Sequence, residues 1–268
     1  MNTPRAAPAA LLCAALLASG CATVTGAGAP TPEDPWESFN RKVYAFNDTV
    51  DEAVMKPVAK AYKAVLPQLV RTGISNVLGN IGDLWSAANH LLQGKLQTGL
   101  DMGMRVVTNT VFGLGGLLDP ATEMGLVRRS EDFGQTLGRW GVGPGPYLVL
   151  PLLGPSTLRD GASLIVDRQF AASTLAKSDN LGYAVTGVEL VNLRANLLDT
   201  TQLLDAVALD RYSFVRQAYL SRRLDQVYDG APPLAPMDNL EDPGDEPSKP
   251  ADPASAAAAA KPASSPAR

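Results

Sequence analysis

The side chains that most often carry out chemistry are scarce in this chain, and their spacing predicts no catalytic or metal site. The single histidine, His90, has no second histidine or cysteine at ligand spacing, which argues against a zinc site. Ser156 stands in "GPSTL" rather than in the G-x-S-x-G turn of a serine hydrolase, so we interpret it as a helix cap. Glu131 and Asp132 have the residue types of a glycosidase pair, but at a predicted helix start they more often interact with the helix dipole. We therefore expect no enzymatic activity and no cofactor, and an exported hydrolase is the weakest hypothesis.

One cysteine has a chemical role that its position indicates. Residues 1–20 contain Arg5, then an apolar run and small residues, which is the pattern of a secretory signal. The sequence "LASGC" resembles the bacterial lipobox, in which signal cleavage leaves a diacylated N-terminal cysteine, here Cys21. Cys13 would leave with the signal, so lipid attachment also accounts for the single thiol that remains in an exported protein. Ala22 in place of aspartate indicates delivery to the outer membrane; the alternative is an ordinary signal peptide followed by a chance cysteine.

Charge limits the classes of partner. Without residues 1–20, 22 basic side chains face 27 acidic ones. Nucleic acid binding depends on neutralising phosphates with basic side chains, so this balance argues against nucleic acid and against a polybasic membrane patch.

The two ends of the mature chain have the composition of unstructured segments. Residues 21–33 are small and unpatterned, and we interpret them as a lipidated tether that reaches at most about 40 Å. Residues 231–268 hold 11 Ala and 9 Pro and no aromatic residue. Such a segment cannot bury enough surface to offset the entropy of ordering, so we predict a disordered tail, with an interaction peptide as the alternative.

Between these ends, residues 34–230 are predicted to be almost entirely helical and to form one domain. Asp34 and Pro35 predict a helix start, and Ser130 and Ser156 predict two more. Helices are expected at about 80–92 and 95–112, the second with an apolar face formed by Leu96, Leu100, Met104, Val107 and Val111. The strand-like "YLVLPLL" is the one candidate for a β-strand, and Pro151 in its middle argues against it.

Two apolar segments are too irregular for helices. The 19 residues from Trp140 to Leu158 carry no charge, but their four glycines and four prolines rule out a continuous membrane-spanning helix. The second segment, "VFGLGGLLDP", is predicted to end a helix in a turn. Irregular backbone among apolar side chains suits the wall of a cavity at membrane depth, and the alternative is a loop packed in a helical core.

Three blocks of sequence resemble one family. "DPWESFNRKVYAFND" at 34–48, "GLGGLLDPA" at 113–121 and "FGQTLGRWGVGPGPYLVLPLLGPSTLRD" at 133–160 are similar to the MlaA (VacJ) family of outer-membrane lipoproteins. The resemblance covers residues 34–230 and leaves out the tail. Pro144 departs from the bulkier residue that is common there.

The resemblance implies a fold and a function. It implies an all-α single domain whose amphipathic and interfacial helices form a ring around a central amphipathic channel, with Gly/Pro-rich irregular segments. Phospholipids that have strayed into the outer leaflet would pass through it towards a periplasmic carrier of the MlaC type. The resemblance also implies association with trimeric porins and a place in the outer-membrane bilayer. The competing hypothesis is a structural scaffold that binds porin or cell-wall partners.

The candidate site residues follow from the two irregular segments. The proposed channel wall consists of Gly113, Leu114, Gly115, Gly116, Leu117, Trp140, Gly141, Val142, Gly143 and Tyr147. The candidates for a lipid headgroup are Arg139, Arg159 and Asp160, each with a structural ion pair as its alternative. The three tryptophans, Trp36, Trp85 and Trp140, are predicted either to anchor at headgroup level or to pack in the core.

Overall fold

The computed structural model describes residues 32–176, 178–207 and 209–233, and these residues are mostly helical. Cys21, the signal segment and nearly all of the tether and the tail lie outside the described residues. Helices α1 to α9 span Glu37–Val50, Lys56–Val65, Gln68–Leu92, Leu96–Val111, Pro120–Glu123, Phe133–Arg139, Leu158–Asp167, Asp179–Val207 and Arg211–Val227. A π-helical turn, Asp51–Met55, joins α1 to α2, and two short 3₁₀ turns, Arg168–Phe170 and Ala172–Leu175, follow α7. The prediction of a mostly helical domain is confirmed.

A small β-hairpin corrects one prediction. Strands β1, Tyr147–Leu150, and β2, Gly154–Thr157, pair in antiparallel fashion, with Tyr147 opposite Thr157. The argument against a strand was wrong because Pro151 lies in the turn of the hairpin, where its missing N–H removes no ladder hydrogen bond.

The predicted helix starts are close but shifted. Helix α1 begins at Glu37, and Asp34 is not its N-cap. Asp132 rather than Ser130 caps α6 by accepting a hydrogen bond from the Gln135 amide at 2.8 Å. Thr157 rather than Ser156 caps α7. Asp132 and Thr157 have the extended backbone that a cap requires, whereas the N-cap position of α1 is Trp36, which makes no side-chain cap hydrogen bond.

The helices bury polar side chains and expose apolar ones. The apolar face of α4 that periodicity identified, Leu96 to Val111, is 54–65 % exposed, whereas its opposite face buries Arg105, Thr108 and Asn109. Among the residues whose burial the structure describes, ten apolar ones are buried against twenty polar or charged ones. A water-soluble domain has the reverse arrangement. No helix within the described ranges is both long and apolar enough to cross a bilayer.

The buried polar side chains form hydrogen-bonded networks that connect the helices. Arg105 on α4 is fully buried and donates to Asp83 on α3, to both carboxylate oxygens of Asp119 and to the backbone oxygen of Leu126. A second network joins the start of the domain to α9, since the Asp34 carboxylate accepts from Tyr212 and Arg216. Because burying an unpaired charge is costly, these networks determine which helices lie together.

Candidate functional site

The glycine-rich turn after α4 has a backbone that its sequence explains. Gly115 and Gly116 have φ values of 71° and 91°, and Gly116 donates its amide to the Asn109 carbonyl at 2.8 Å, which ends the helix. Gly113 is buried, and a Cβ atom there would clash with the carbonyl oxygens of Asn109 and Leu118. The turn therefore requires glycine at these places.

The same turn presents its leucines outward. Leu114 and Leu117 are exposed, and Leu114 has a left-handed φ of 54°, which is rare for a side chain of its type. Gly113 to Leu117 do not line the cavity formed by the second irregular segment, nor the two smaller cavities near it. This half of the predicted wall forms an apolar surface rather than the lining of a described cavity.

The second irregular segment does line a cavity. A cavity of about 350 Å³, here the first cavity, is bounded by residues 141–144 of the loop before β1, by Arg159 at the start of α7 and by α9. Its apolar lining includes Val142, Leu220 and Leu224, and its polar lining includes Gln217, Ser221, Arg159 and Arg223. The structure thus brings together Gly141, Val142, Gly143 and Arg159 from the predicted set.

Arg159 holds this loop in place. Its backbone amide donates to the Pro144 carbonyl at 3.1 Å, and its Nη1 donates to the Val142 carbonyl at 3.3 Å. Gly138 leaves room for the guanidinium, because a Cβ atom there would lie 2.6 Å from Nη1 of Arg159. Pro144, the departure from the family pattern, supplies the carbonyl that the Arg159 amide binds.

Arg159 and Asp160 form a structural ion pair, which is the alternative to a role in binding a headgroup. Both are buried, and the Arg159 Nε lies 2.9 Å from an oxygen of Asp160. Arg223 on α9, which sequence analysis missed, binds the same carboxylate with two N–H groups at 2.9 Å and binds Asp132 as well. Burial alone would raise the pKa of the Asp160 carboxyl, but Arg223 and Arg159 outweigh burial and lower its pKa to about 2. Asp160 is therefore a carboxylate at neutral pH, and Arg139, the third candidate, is exposed.

Tyr147 does not line the first cavity. It is fully buried, and its ring centroid is 6.2 Å from those of Tyr212 and Tyr219. Burial raises the pKa of its hydroxyl well above the ordinary value. Tyr147 thus packs in an aromatic cluster and lines none of the three described cavities.

The first block of the family resemblance positions the hairpin. Asn40 donates to the Asp34 carboxylate at 2.8 Å and to the Tyr147 carbonyl at 3.0 Å, and it accepts from the Val149 amide at 2.9 Å. It therefore pairs with β1 as a further strand would. The "DPWESFN" sequence therefore fixes the position of β1, in addition to starting α1.

The tryptophans differ in their surroundings, and anchoring at headgroup level stays a prediction. Trp85 packs face to face with Phe170, with ring centroids 3.8 Å apart, and donates to Asp167. Trp36 and Trp140 are exposed, and Trp140 donates its Nε1–H to the Leu92 carbonyl at 3.0 Å. In the part of the chain that the structure describes, no cluster of histidine, cysteine and carboxylate side chains could hold a metal ion. His90 is a buried helix residue whose Nε2 lies 3.1 Å from the Arg129 carbonyl.

Comparison with known proteins identifies the family. The family model described as MlaA lipoprotein matches residues 32–226. The intermembrane phospholipid transport system lipoprotein MlaA of Escherichia coli K12 is 37% identical over 236 residues, which cover 86% of this chain and 91% of that protein. The protein of the same name from Haemophilus influenzae is 32% identical over 201 residues, 74% of this chain and 80% of that protein.

A solved structure agrees with these relatives. It comes from work on the structural basis for maintenance of bacterial outer membrane lipid asymmetry, and it superposes on this chain with a TM-score of 0.65 at 36% identity. The match covers 72% of this chain and 98% of the solved one. This chain therefore belongs to the MlaA lipoprotein family.

Proposed function

We propose that this protein is a phospholipid conduit of the outer membrane, working in intermembrane lipid transport. It removes phospholipids that have strayed into the outer leaflet and passes them to a periplasmic carrier of the MlaC type, which maintains the lipid asymmetry of the membrane. Relatives that are named for intermembrane phospholipid transport, and a related structure concerned with outer-membrane lipid asymmetry, support this proposal.

The main support for the proposal is that α4 exposes its apolar side chains and buries its polar ones. Leu96, Leu100, Met104, Val107 and Val111 form a continuous apolar row along α4, and all of them are exposed. Hydrocarbon is the solvent that such a row requires, and an amphipathic helix lying in a leaflet places its apolar face there. The polar face of the same helix, which contains Arg105, is covered by protein instead.

The first cavity supplies the chemistry that a lipid requires. Its aliphatic lining suits acyl chains, and the guanidinium groups of Arg159 and Arg223 at its polar end suit a phosphate. Moving a phospholipid breaks no covalent bond, so the conduit acts without catalysis. The residues that line it need only provide a cavity of suitable shape and polarity for the lipid.

The anchor and the partners complete the proposal. Export followed by diacylation of Cys21 holds the protein in the outer membrane, where it associates with trimeric porins. Nucleic acid is not a partner.

A photo-crosslinking experiment tests the conduit. A photoreactive amino acid replaces Ser221, which lines the first cavity, and in a matched variant it replaces the exposed Arg222 beside it. A third variant carries it at Val107 on the exposed row. Each protein is extracted in detergent, exchanged into fresh detergent and only then irradiated, so that lipids of the surrounding bilayer are washed away.

The conduit predicts a mass increase of one phospholipid at Ser221 and none at Arg222 or Val107. Adducts at none of the three positions, in a protein with an unchanged circular dichroism spectrum, would refute the conduit and favour the scaffold hypothesis.

A further inference from the structure

Three cavities follow one another along the β-hairpin. The second cavity, of about 280 Å³, is lined by Leu150, Leu153 and Leu164 together with Asp160 and Asp167. The third, of about 230 Å³, lies between the start of β2, the end of α1 with the π-helical turn after it, α8 and the start of α9. Only the first cavity contains residues that the sequence identified as channel wall.

Neighbouring cavities share their walls. Arg223 lines both the first and the second cavity, and Pro155 lines both the second and the third. At the junction of β2 and α7, Thr157 and Arg159 face the first cavity, whereas Ser156 and Asp160 face the second. The wall between the first two cavities is therefore one layer of side chains thick.

The lining changes in character along this row. The first and second cavities combine aliphatic side chains with charged ones, as a lipid requires. The third is dominated by charge, with Asp48, Asp51 and Glu52 facing Arg194 and Arg211. Pockets for drug-sized molecules have volumes of about 300–1,000 Å³. The three cavities, of about 350, 280 and 230 Å³, lie at or below the lower end of that range. Each cavity alone is therefore too small for a whole two-chain phospholipid, which is larger than such molecules. A lipid molecule would have to occupy more than one of them at a time.

We propose that these three cavities are consecutive parts of one phospholipid path along the hairpin, and that the Arg223–Asp160 ion pair is the partition between the first and the second. This inference rests on the proposed conduit function and specifies its route. It places the Gly113–Leu117 turn outside the path, on the surface that faces the bilayer.

The partition has the chemistry to let a headgroup pass. Arg223 directs its N–H groups to Asp132 and Asp160 at distances of 2.6 to 3.0 Å. A phosphate accepts the same charge-assisted hydrogen bonds as a carboxylate. A lipid phosphate can therefore take the place of the Asp160 carboxylate at Arg223 while it passes, and the ion pair re-forms behind it.

Photo-crosslinking at matched positions tests the route. The photoreactive residue is placed at Leu164 in the second cavity and at Glu52 in the third, with the exposed neighbours Ala162 and Ala53 as controls. Leu153, at the hairpin turn, is a second position for the second cavity if the Leu164 variant does not fold. Proteins are again exchanged into fresh detergent before irradiation, and the adducts are identified by mass spectrometry.

The route predicts a mass increase of one phospholipid at Leu164 and at Glu52, as at Ser221, and none at the two controls. An adduct at Ser221 with none at Leu164 and Leu153 would overturn the route and leave the conduit function standing. An adduct at Ser221 and Leu164 but not at Glu52 would overturn the inclusion of the third cavity. Absence of adducts at all cavity positions would instead refute the conduit function itself.

Discussion

Replacing Arg105 is the most direct test of the polar interior. The side chain of Arg105 is fully buried and lies 2.9 Å from both oxygens of Asp119, 3.0 Å from Thr122 and 3.5 Å from Asp83. Arg105→Met keeps much of the volume and removes the charge. Among the described contacts Asp119 then has no guanidinium partner left, while Asp83 retains Arg128.

The expected loss follows from this geometry. Removing one partner of a buried ion pair costs about 3–5 kcal/mol. The loss should lie towards the lower value, because Asp119 is partly exposed and keeps hydrogen bonds from Asn109 and Thr122. For a domain of this size each kcal/mol lowers the melting temperature by about 2–4 °C, so Arg105→Met should lower it by about 6–20 °C. The change is measured by far-UV circular dichroism on the detergent-solubilised protein during heating.

Lys63→Met provides the control. Lys63 binds the Asp199 carboxylate at 3.2 Å, and the two side chains are 32% and 81% exposed. An ion pair between exposed side chains is worth about 0–1 kcal/mol, so the control should melt within a few degrees of the wild type. Equal effects of the two substitutions, or an Arg105→Met protein as stable as the wild type, would refute the view that this network holds α3, α4 and the glycine-rich turn together.

Three further predictions follow from the same structure. Gly113→Ala should destabilise the protein by about 1–3 kcal/mol, because the new methyl group meets two backbone carbonyls. Gly143 has open space around it, so Gly143→Ala should change stability by less than about 0.5 kcal/mol. Equal melting temperatures of the two variants would contradict this difference. Because the pKa of Asp160 is lowered to about 2 in the folded protein, its stabilising contribution is complete above its unfolded pKa of about 3.9 and is lost as the pH falls from there to about 2. Asp160→Asn should therefore lower stability at neutral pH and flatten the acid limb of the curve of melting temperature against pH, and an unchanged acid limb would refute that assignment. Cys21→Ser should remove the protein from the outer-membrane fraction, and unchanged fractionation on a density gradient would count against lipidation.

Periodicity could predict the helices but not the direction in which they face. The spacing of Leu96, Leu100, Met104, Val107 and Val111 defines an apolar side of a helix whatever covers that side. The helix predicted at 95–112 accordingly corresponds to the observed Leu96–Val111. What the apolar side contacts depends on the surrounding solvent, which a single sequence does not specify. The buried positions of α4 reveal it, because three of the five, Arg105, Thr108 and Asn109, are polar or charged.

The candidate site was predictable only in the part that is continuous in sequence. The uncharged run pointed to Gly141, Val142 and Gly143, and all three line the first cavity. The opposite wall comes from α9, and Arg223 reaches Asp160 across 63 positions of sequence. "SRRLDQ" has the composition of an ordinary exposed helix, so nothing in it distinguishes Arg223 from Arg222. Asp34 could be recognised as a cap residue by type, but its partner Tyr212 is 178 positions away.

The polar interior accounts for both the stability and the proposed function. When the outward faces of the helices lie in hydrocarbon, burying apolar side chains between them gains little, because lipid is as apolar as a protein core. Hydrogen bonds and ion pairs such as those of Arg105, Arg223 and Asp34 then have to hold the helices together. An interior built in this way is also one that a zwitterionic headgroup can enter, since each carboxylate and guanidinium already faces a group of opposite charge that the headgroup can replace. Arg223 both stabilises the fold and lines the proposed path, so substitutions there should impair stability and lipid transport together. Substitutions at Arg105, which lines none of the three cavities, should impair stability alone.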